Sequence, residues 1–109
     1  MKIIKFHKDL VPLVLNGNKT STWRLFDDKN LSKGDLIELR EFGVDTPFGY
    51  GEIISVLEKR FSELTSEDKS GHEDFESNEQ MYETYSKYYS TNVGPQTKLK
   101  IIRFNLKSS

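Results

Sequence analysis

The sequence predicts a small mixed β-barrel of the α+β class with helices plugging or flanking it. Three observations lead there. Residues 36–42 alternate apolar and charged side chains, the period of a half-buried strand. Residues 10–15 and 81–89 carry apolar side chains at helical spacing instead. The elements then run strand, helix, three strands, helix, strand, an order that suits a short sheet curled against helices. At 109 residues and 35% hydrophobic content the chain supports one compact core, so a single domain over residues 1–109 is expected.

The elements follow in order. Residues 3–6, Ile-Ile-Lys-Phe, read as a first strand. Asp9 is placed to cap a short helix that tolerates Pro12 in its first turn, and Gly17 supplies a left-handed stop. Residues 19–26 are β-rich, and residues 27–30 form a polar loop. Lys33-Gly34-Asp35 is a turn into the strand at 36–42. Residues 43–51, with three glycines and Pro47, read as a hairpin connection or an irregular loop, and residues 50–57 as a further strand. A helical turn at 64–68 ends at Gly71. Ser77 and Gln80 have capping-box spacing before a helix whose face carries Met81, Tyr82, Tyr85, Tyr88 and Tyr89. Gly94-Pro95 breaks the chain. Residues 96–106 close it as a strand with Leu99, Ile101, Ile102, Phe104 and Leu106 offered to the core.

Charge and composition exclude several functions. Sixteen basic and seventeen acidic residues give a net charge of −1, against the basic excess of proteins that grip long nucleic acids through phosphates. The absence of cysteine excludes disulfides and thiolate zinc sites, and His7 and His72 lack metal-ligand spacing, so no metal is expected. Residues 1–6 lack the apolar core of a signal peptide, and no apolar run reaches the ~20 residues of a membrane span. A cytoplasmic protein without membrane contact is the expectation.

The chemistry concentrates in Gly17-Asn18-Lys19-Thr20-Ser21-Thr22-Trp23-Arg24. On a regular strand Thr20, Thr22 and Arg24 share one face and Ser21, Trp23 and Leu25 the other. Lys19 follows the helix stop, where a bend lets its long side chain swing toward Thr22. There Arg24 would depress its pKa by like charge, and a neutral lysine would serve as base toward the hydroxyl. The plainer reading is a surface lysine beside an edge strand. The acids Glu73, Asp74 and Glu76 precede the capped helix and offer a carboxylate; the plainer reading there is a solvated turn favouring the helix N-terminus. The tyrosine face reads as core, whereas Trp23 or Phe26 adjoins the polar cluster and can stack on a base.

Nearly end to end, the chain resembles the ASCH domain, a PUA-like barrel family, and within it the small bacterial N4-acetylcytidine amidohydrolases. The resemblance rests on Leu15 to Arg24 (the G-x-K-x-x-T-x-R motif), Lys33-Gly34-Asp35, the acidic segment, and Gly94-Pro95-Gln96-Thr97 leading into Ile101-Ile102-Arg103-Phe104. It implies Lys19 as proton acceptor, Thr22 as nucleophile and Glu73 as proton donor, with Glu76 the competing acid. Arg24 and Trp23 would bind substrate, Arg24 also serving the oxyanion. The implied partner is a small modified nucleoside, with single-stranded or structured RNA as the alternative partner of a non-catalytic module. No cofactor and no DNA are implied.

Overall fold

The computed structural model describes residues 1–26 and 29–107. Five strands form one mixed sheet: β1 (Lys2–Phe6), β2 (Ser21–Arg24), β3 (Leu36–Glu41), β4 (Gly49–Arg60) and β5 (Lys98–Lys107), in the order β1-β3-β4-β5-β2. Only β1 and β3 run parallel; every other pairing is antiparallel. Among the described residues there are three α-helices, α1 (Val11–Leu15), α2 (Ser66–Lys69) and α3 (Asn78–Tyr89). The α+β class read from the sequence is therefore the observed one. The strand spans agree closely, except that β2 covers only Ser21–Arg24 of the β-rich segment 19–26, and that β4 runs on to Arg60 and starts within the loop expected at 43–51.

Among the described residues, β1 and β2 are the two edges of the sheet and no backbone pairing joins them. Side chains cross the interval instead. The Arg24 guanidinium donates to the Lys5 carbonyl at 2.9 Å, and the Lys29 amine to the Ile3 carbonyl at 2.5 Å. The edges thus approach without zipping, which leaves room for a cavity between them.

Both faces of the sheet are buried. One holds Ile4, Phe6, Ile37, Leu39, Ile53, Ile102 and Phe104, with Val14 of α1 packed against them. The other holds Trp23, Leu99 and Ile101 against Phe61 and, from α3, Met81 and Tyr85. Strand β5 feeds both cores because successive residues point to opposite faces: Ile102 enters the first and Ile101 the second. A bulge between Ile53 and Ser55 leaves Ile54 unpaired and 41% exposed. The extra residue shifts the parity of β4, so Ile53 and Val56 both meet the first core.

Several local expectations change. Asp9 lies inside a 3₁₀ turn (Lys8–Leu10), and α1 begins without a side-chain cap. Gly17 does stop the helix, at φ +84°. Ser77 caps α3 by accepting the Gln80 N–H, but Gln80 reaches back to the Glu76 N–H, so the reciprocal half of the box goes to a different residue. Leu106, expected in the core, is 43% exposed, opposite Gly51 of β4, which brings no side chain against it. Tyr88, on the expected tyrosine face, is half exposed while Tyr85 is buried. In the loop expected at 27–30, residues 27 and 28 lie outside the described residues.

Ile102→Ala should lower the unfolding free energy by about 2–5 kcal/mol, since a fully buried side chain leaves a cavity behind. Leu106→Ala should cost about 1 kcal/mol or less. Urea denaturation of the two variants checks the contrast.

Candidate active site

The cavity between the two edge strands has a volume of about 430 Å³. Its walls come from β1 (Lys5, Phe6), from the segment between α1 and β2 (Lys19), from β2 (Thr22, Trp23, Arg24), from the loop before α3 (His72, Glu73) and from α3 (Tyr85, Tyr88). Segments far apart in the chain meet here, and backbone hydrogen bonds hold them. After Gly17 the Lys19 N–H donates back to the Leu13 carbonyl at 2.9 Å, which sets the bend that turns the lysine inward. The Gly71 carbonyl accepts from the Thr20 and Ser21 N–H groups at 2.9 and 3.1 Å. From β5, the Arg103 guanidinium donates to the Ser70 carbonyl at 3.0 Å and the Glu67 carbonyl at 2.6 Å. The acidic loop is thereby clamped onto β2 and β5.

The result is an ion pair whose lysine has little access to water. The Lys19 amine lies 2.6 Å from Glu73 Oε2, and the Lys19 side chain is 3% exposed. Burial lowers the Lys19 pKa below the usual lysine value; Glu73 works against that fall, and Arg24 adds a smaller like-charge contribution. The dominant cause is thus desolvation, where the sequence pointed to the Arg24 charge. Burial also opposes the charge on Glu73, but His72 and the Lys19 ammonium outweigh it and hold the carboxyl below its usual value.

Thr22 is 5% exposed and lines the same cavity as Lys19 and Glu73. Glu76 lies elsewhere: it is exposed and lines a separate pocket of about 200 Å³ beside Ser77 and Asn78. Of the two competing acids, geometry brings only Glu73 to the lysine. Trp23 is 3% exposed, with its ring stacked on His72 at 3.8 Å between centroids. It forms a wall and has no open face for a base. Phe26 is 73% exposed and lines a different, smaller pocket with Tyr89. Arg24 lies over the Phe6 ring, its Cζ 5.6 Å from the centroid.

His72 and Tyr85 are the residues that sequence reasoning missed. His72 Nδ1 lies 3.0 Å from the Glu73 carbonyl, and its Nε2 lies 3.1 Å from the Tyr85 hydroxyl. Spacing tests for metal ligation pass over a histidine that is buried singly. The available signal was its position, directly before the candidate acid. Among the described residues no group of three or more His, Asp or Glu side chains is arranged to hold a metal.

No family model matches the sequence, and no curated protein matches it. Solved structures do match its shape. The ASCH domain from Lactobacillus crispatus superposes with a TM-score of 0.71 at 15% identity, over 96% of this chain and 79% of that one. A protein from Enterococcus faecalis gives 0.77 at 14% identity, over 97% and 80%. ZmASCH from Zymomonas mobilis gives 0.64 at 16% identity, over 94% and 66%. The class is thus a mixed α+β domain. Its particular fold is that of the ASCH domain. No described helix is long and apolar enough to cross a membrane.

Two predictions follow from this geometry. Gly71 has φ +78°, and a Cβ built on it would lie 2.1 Å from Thr20 Oγ1. Gly71→Ala should therefore destabilise the fold by about 1–3 kcal/mol in thermal denaturation and loosen the loop from β2. The second concerns pH. Burial and the nearby Lys19 charge lower the His72 pKa to about 4. Unfolding frees the imidazole to take up a proton below its ordinary value of 6.5. The unfolded state then binds more protons, so stability falls as pH drops from 6.5 toward 4. Urea titrations at pH 7, 6 and 5 should show that decline, and His72→Gln should flatten it between pH 7 and 5.

Proposed function

We propose that the cavity hydrolyses a linear amide on a modified nucleoside, with N4-acetylcytidine as the substrate that yields cytidine and acetate. One observation carries the reading: a buried lysine of lowered pKa is joined to a carboxylate at 2.6 Å in a cavity that also contains a threonine hydroxyl. Those groups are the base, acid and nucleophile that acyl transfer requires. A cavity of about 430 Å³ is within the size range of small-ligand sites. The ASCH-type fold of the solved neighbours is compatible with the reading.

The proton balance is simple. In the resting pair one proton lies on the Lys19 amine and Glu73 is ionised. Its transfer to Glu73 leaves a neutral amine and a carboxylic acid. Lys19 then takes the Thr22 proton as the hydroxyl oxygen bonds to the acetyl carbon. Glu73 protonates the cytosine N4 as the C–N bond breaks, which restores the ion pair and leaves acetyl-Thr22. In the second half the proton again passes from Lys19 to Glu73. Lys19 then deprotonates water as its oxygen bonds to the acetyl carbon, and Glu73 protonates the Thr22 oxygen as the acyl C–O bond breaks. Acetic acid leaves with the ion pair restored and ionises to acetate in solution. No metal or cofactor enters these steps.

A non-catalytic RNA-binding module is the second reading, favoured by one feature. Lys5 and Lys87 line the cavity together with the half-exposed rings of Phe42 and Tyr88, groups suited to phosphate and base. The net charge of −1 argues for weak binding of long RNA. Nanomolar gel-shift affinity with steep salt dependence and no hydrolysis would favour this second reading.

Purified protein incubated with N4-acetylcytidine should release cytidine, followed by chromatography. Thr22→Ala should lower kcat by about 10³-fold or more with little change in nucleoside affinity. Lys19→Arg should be inactive, since a guanidinium keeps its proton. Glu73→Gln should lose turnover and Glu76→Gln should keep most of it. Full activity in Lys19→Arg would refute lysine as the base.

A further inference from the structure

Behind the Lys19–Glu73 pair lies a second layer that none of the proton transfers uses. The His72 side chain is 1% exposed. One face of its ring stacks on Trp23, at 3.8 Å and 14° between planes. Its Nδ1 lies 3.0 Å from the Glu73 backbone carbonyl and 3.6 Å from Glu73 Oε2. Its Nε2 lies 3.1 Å from the hydroxyl of Tyr85, a residue of α3 that is 4% exposed.

These contacts leave one consistent assignment of protons. A carbonyl oxygen only accepts, so Nδ1 must carry the hydrogen. A neutral imidazole has a single N–H, so Nε2 presents its lone pair and the Tyr85 hydroxyl must donate to it. Burial and the Lys19 charge outweigh Glu73, which favours a charge on the ring, and keep the imidazole neutral. Lys19 approaches from the segment before β2, Glu73 from the same loop and Tyr85 from α3; Arg24 of β2 acts on Lys19 and Tyr85. Burial and the Lys19 charge both disfavour an imidazolium, and burial also holds the Tyr85 phenol well above its ordinary pKa, as a proton donor.

We propose that Tyr85 and His72 are positioning residues that aim the Glu73 carboxylate at Lys19. The phenol fixes the imidazole as its Nδ1–H tautomer, and that N–H pins the Glu73 carbonyl. The backbone carrying the carboxylate is then held on both sides, at Gly71 by the Thr20 and Ser21 N–H groups and at Glu73 by His72. Trp23 fixes the plane of the imidazole, and so acts on the site without touching a ligand. The kinetic arm of this inference rests on the hydrolase reading; its spectroscopic arm does not.

The test uses the full chain. Tyr85→Phe keeps the ring and removes only the hydroxyl. His72→Asn places an amide nitrogen where Nδ1 stands, so it is the conservative rescue, and His72→Leu offers no donor. Nitrogen-15 NMR of the native protein at pH 7 should show His72 as a single Nδ1–H tautomer, and Tyr85→Phe should lose that single form. Carbon-13 NMR of Lys19 should show its titration moved to lower pH in Tyr85→Phe and His72→Leu, because the carboxylate no longer holds the ammonium. With N4-acetylcytidine, Tyr85→Phe and His72→Leu should lose about 10- to 100-fold in kcat, as misplaced catalytic groups do, at nearly constant KM. His72→Asn should recover most of the His72→Leu loss. A native imidazole that is Nε2–H or charged at pH 7 overturns the proposal, and so does a Lys19 titration that is the same in native protein and Tyr85→Phe. If the native protein hydrolyses nothing, the hydrolase reading fails. The two NMR measurements then decide the positioning role alone.

Discussion

The site depends on one docking contact, the Gly71 carbonyl that accepts hydrogen bonds from the Thr20 and Ser21 N–H groups. Strand β2 is an edge strand, so part of its backbone is free to bond something other than a neighbouring strand. The loop before α3 uses that freedom. It enters at a left-handed glycine with no room for a side chain against Thr20, and Arg103 of β5 secures the preceding turn by its carbonyls. Two residues later Glu73 is beside Lys19. If the sheet closed by pairing β2 with β1, the cavity between them would be lost.

The energetics explain how so polar a site persists in a small fold. Taking a lysine out of water is costly, and a single partner at 2.6 Å compensates only in part, which is why the amine's pKa falls. The lowered pKa weakens the amine's hold on its proton, while Glu73, itself held below its usual value, stays the ionised partner. A surface ion pair of the same composition would contribute little and would leave both pKa values near normal. The aromatic wall of Trp23, Phe61 and Tyr85 maintains the dry surroundings, and the polar tip of Tyr85 is matched to His72. The second core thus serves both packing and the electrostatics of the first cavity wall.

Much of the architecture was legible along the chain because it is written in local periodicity. The alternation at 36–42 gives β3, the helical spacing and Ser77 cap give α3, and Gly17 stops α1. Errors came where a residue's partner depends on the neighbourhood. Gln80 accepts from the Glu76 N–H rather than from that of Ser77, and Leu106 is 43% exposed although it is paired with Gly51. The bulge between Ile53 and Ser55 leaves no mark in the apolar run that contains it.

By itself the sequence determined which residue types are available and the local bends that aim them: a lysine after a helix stop, a threonine three residues on, a cluster of acids before a capped helix, and no cysteine. It could not choose between Glu73 and Glu76, assign the cause of the lysine's lowered pKa, or show that Trp23 is a wall and His72 a buried partner. Those properties are set by distance and by exclusion of water. Residues 19 and 73 meet only because a sheet edge was left open and a loop was docked on it, and desolvation exists only once α3 covers the interval. Tertiary structure decided them because electrostatic strength depends on what surrounds a charge, and a chain specifies its surroundings only after it folds.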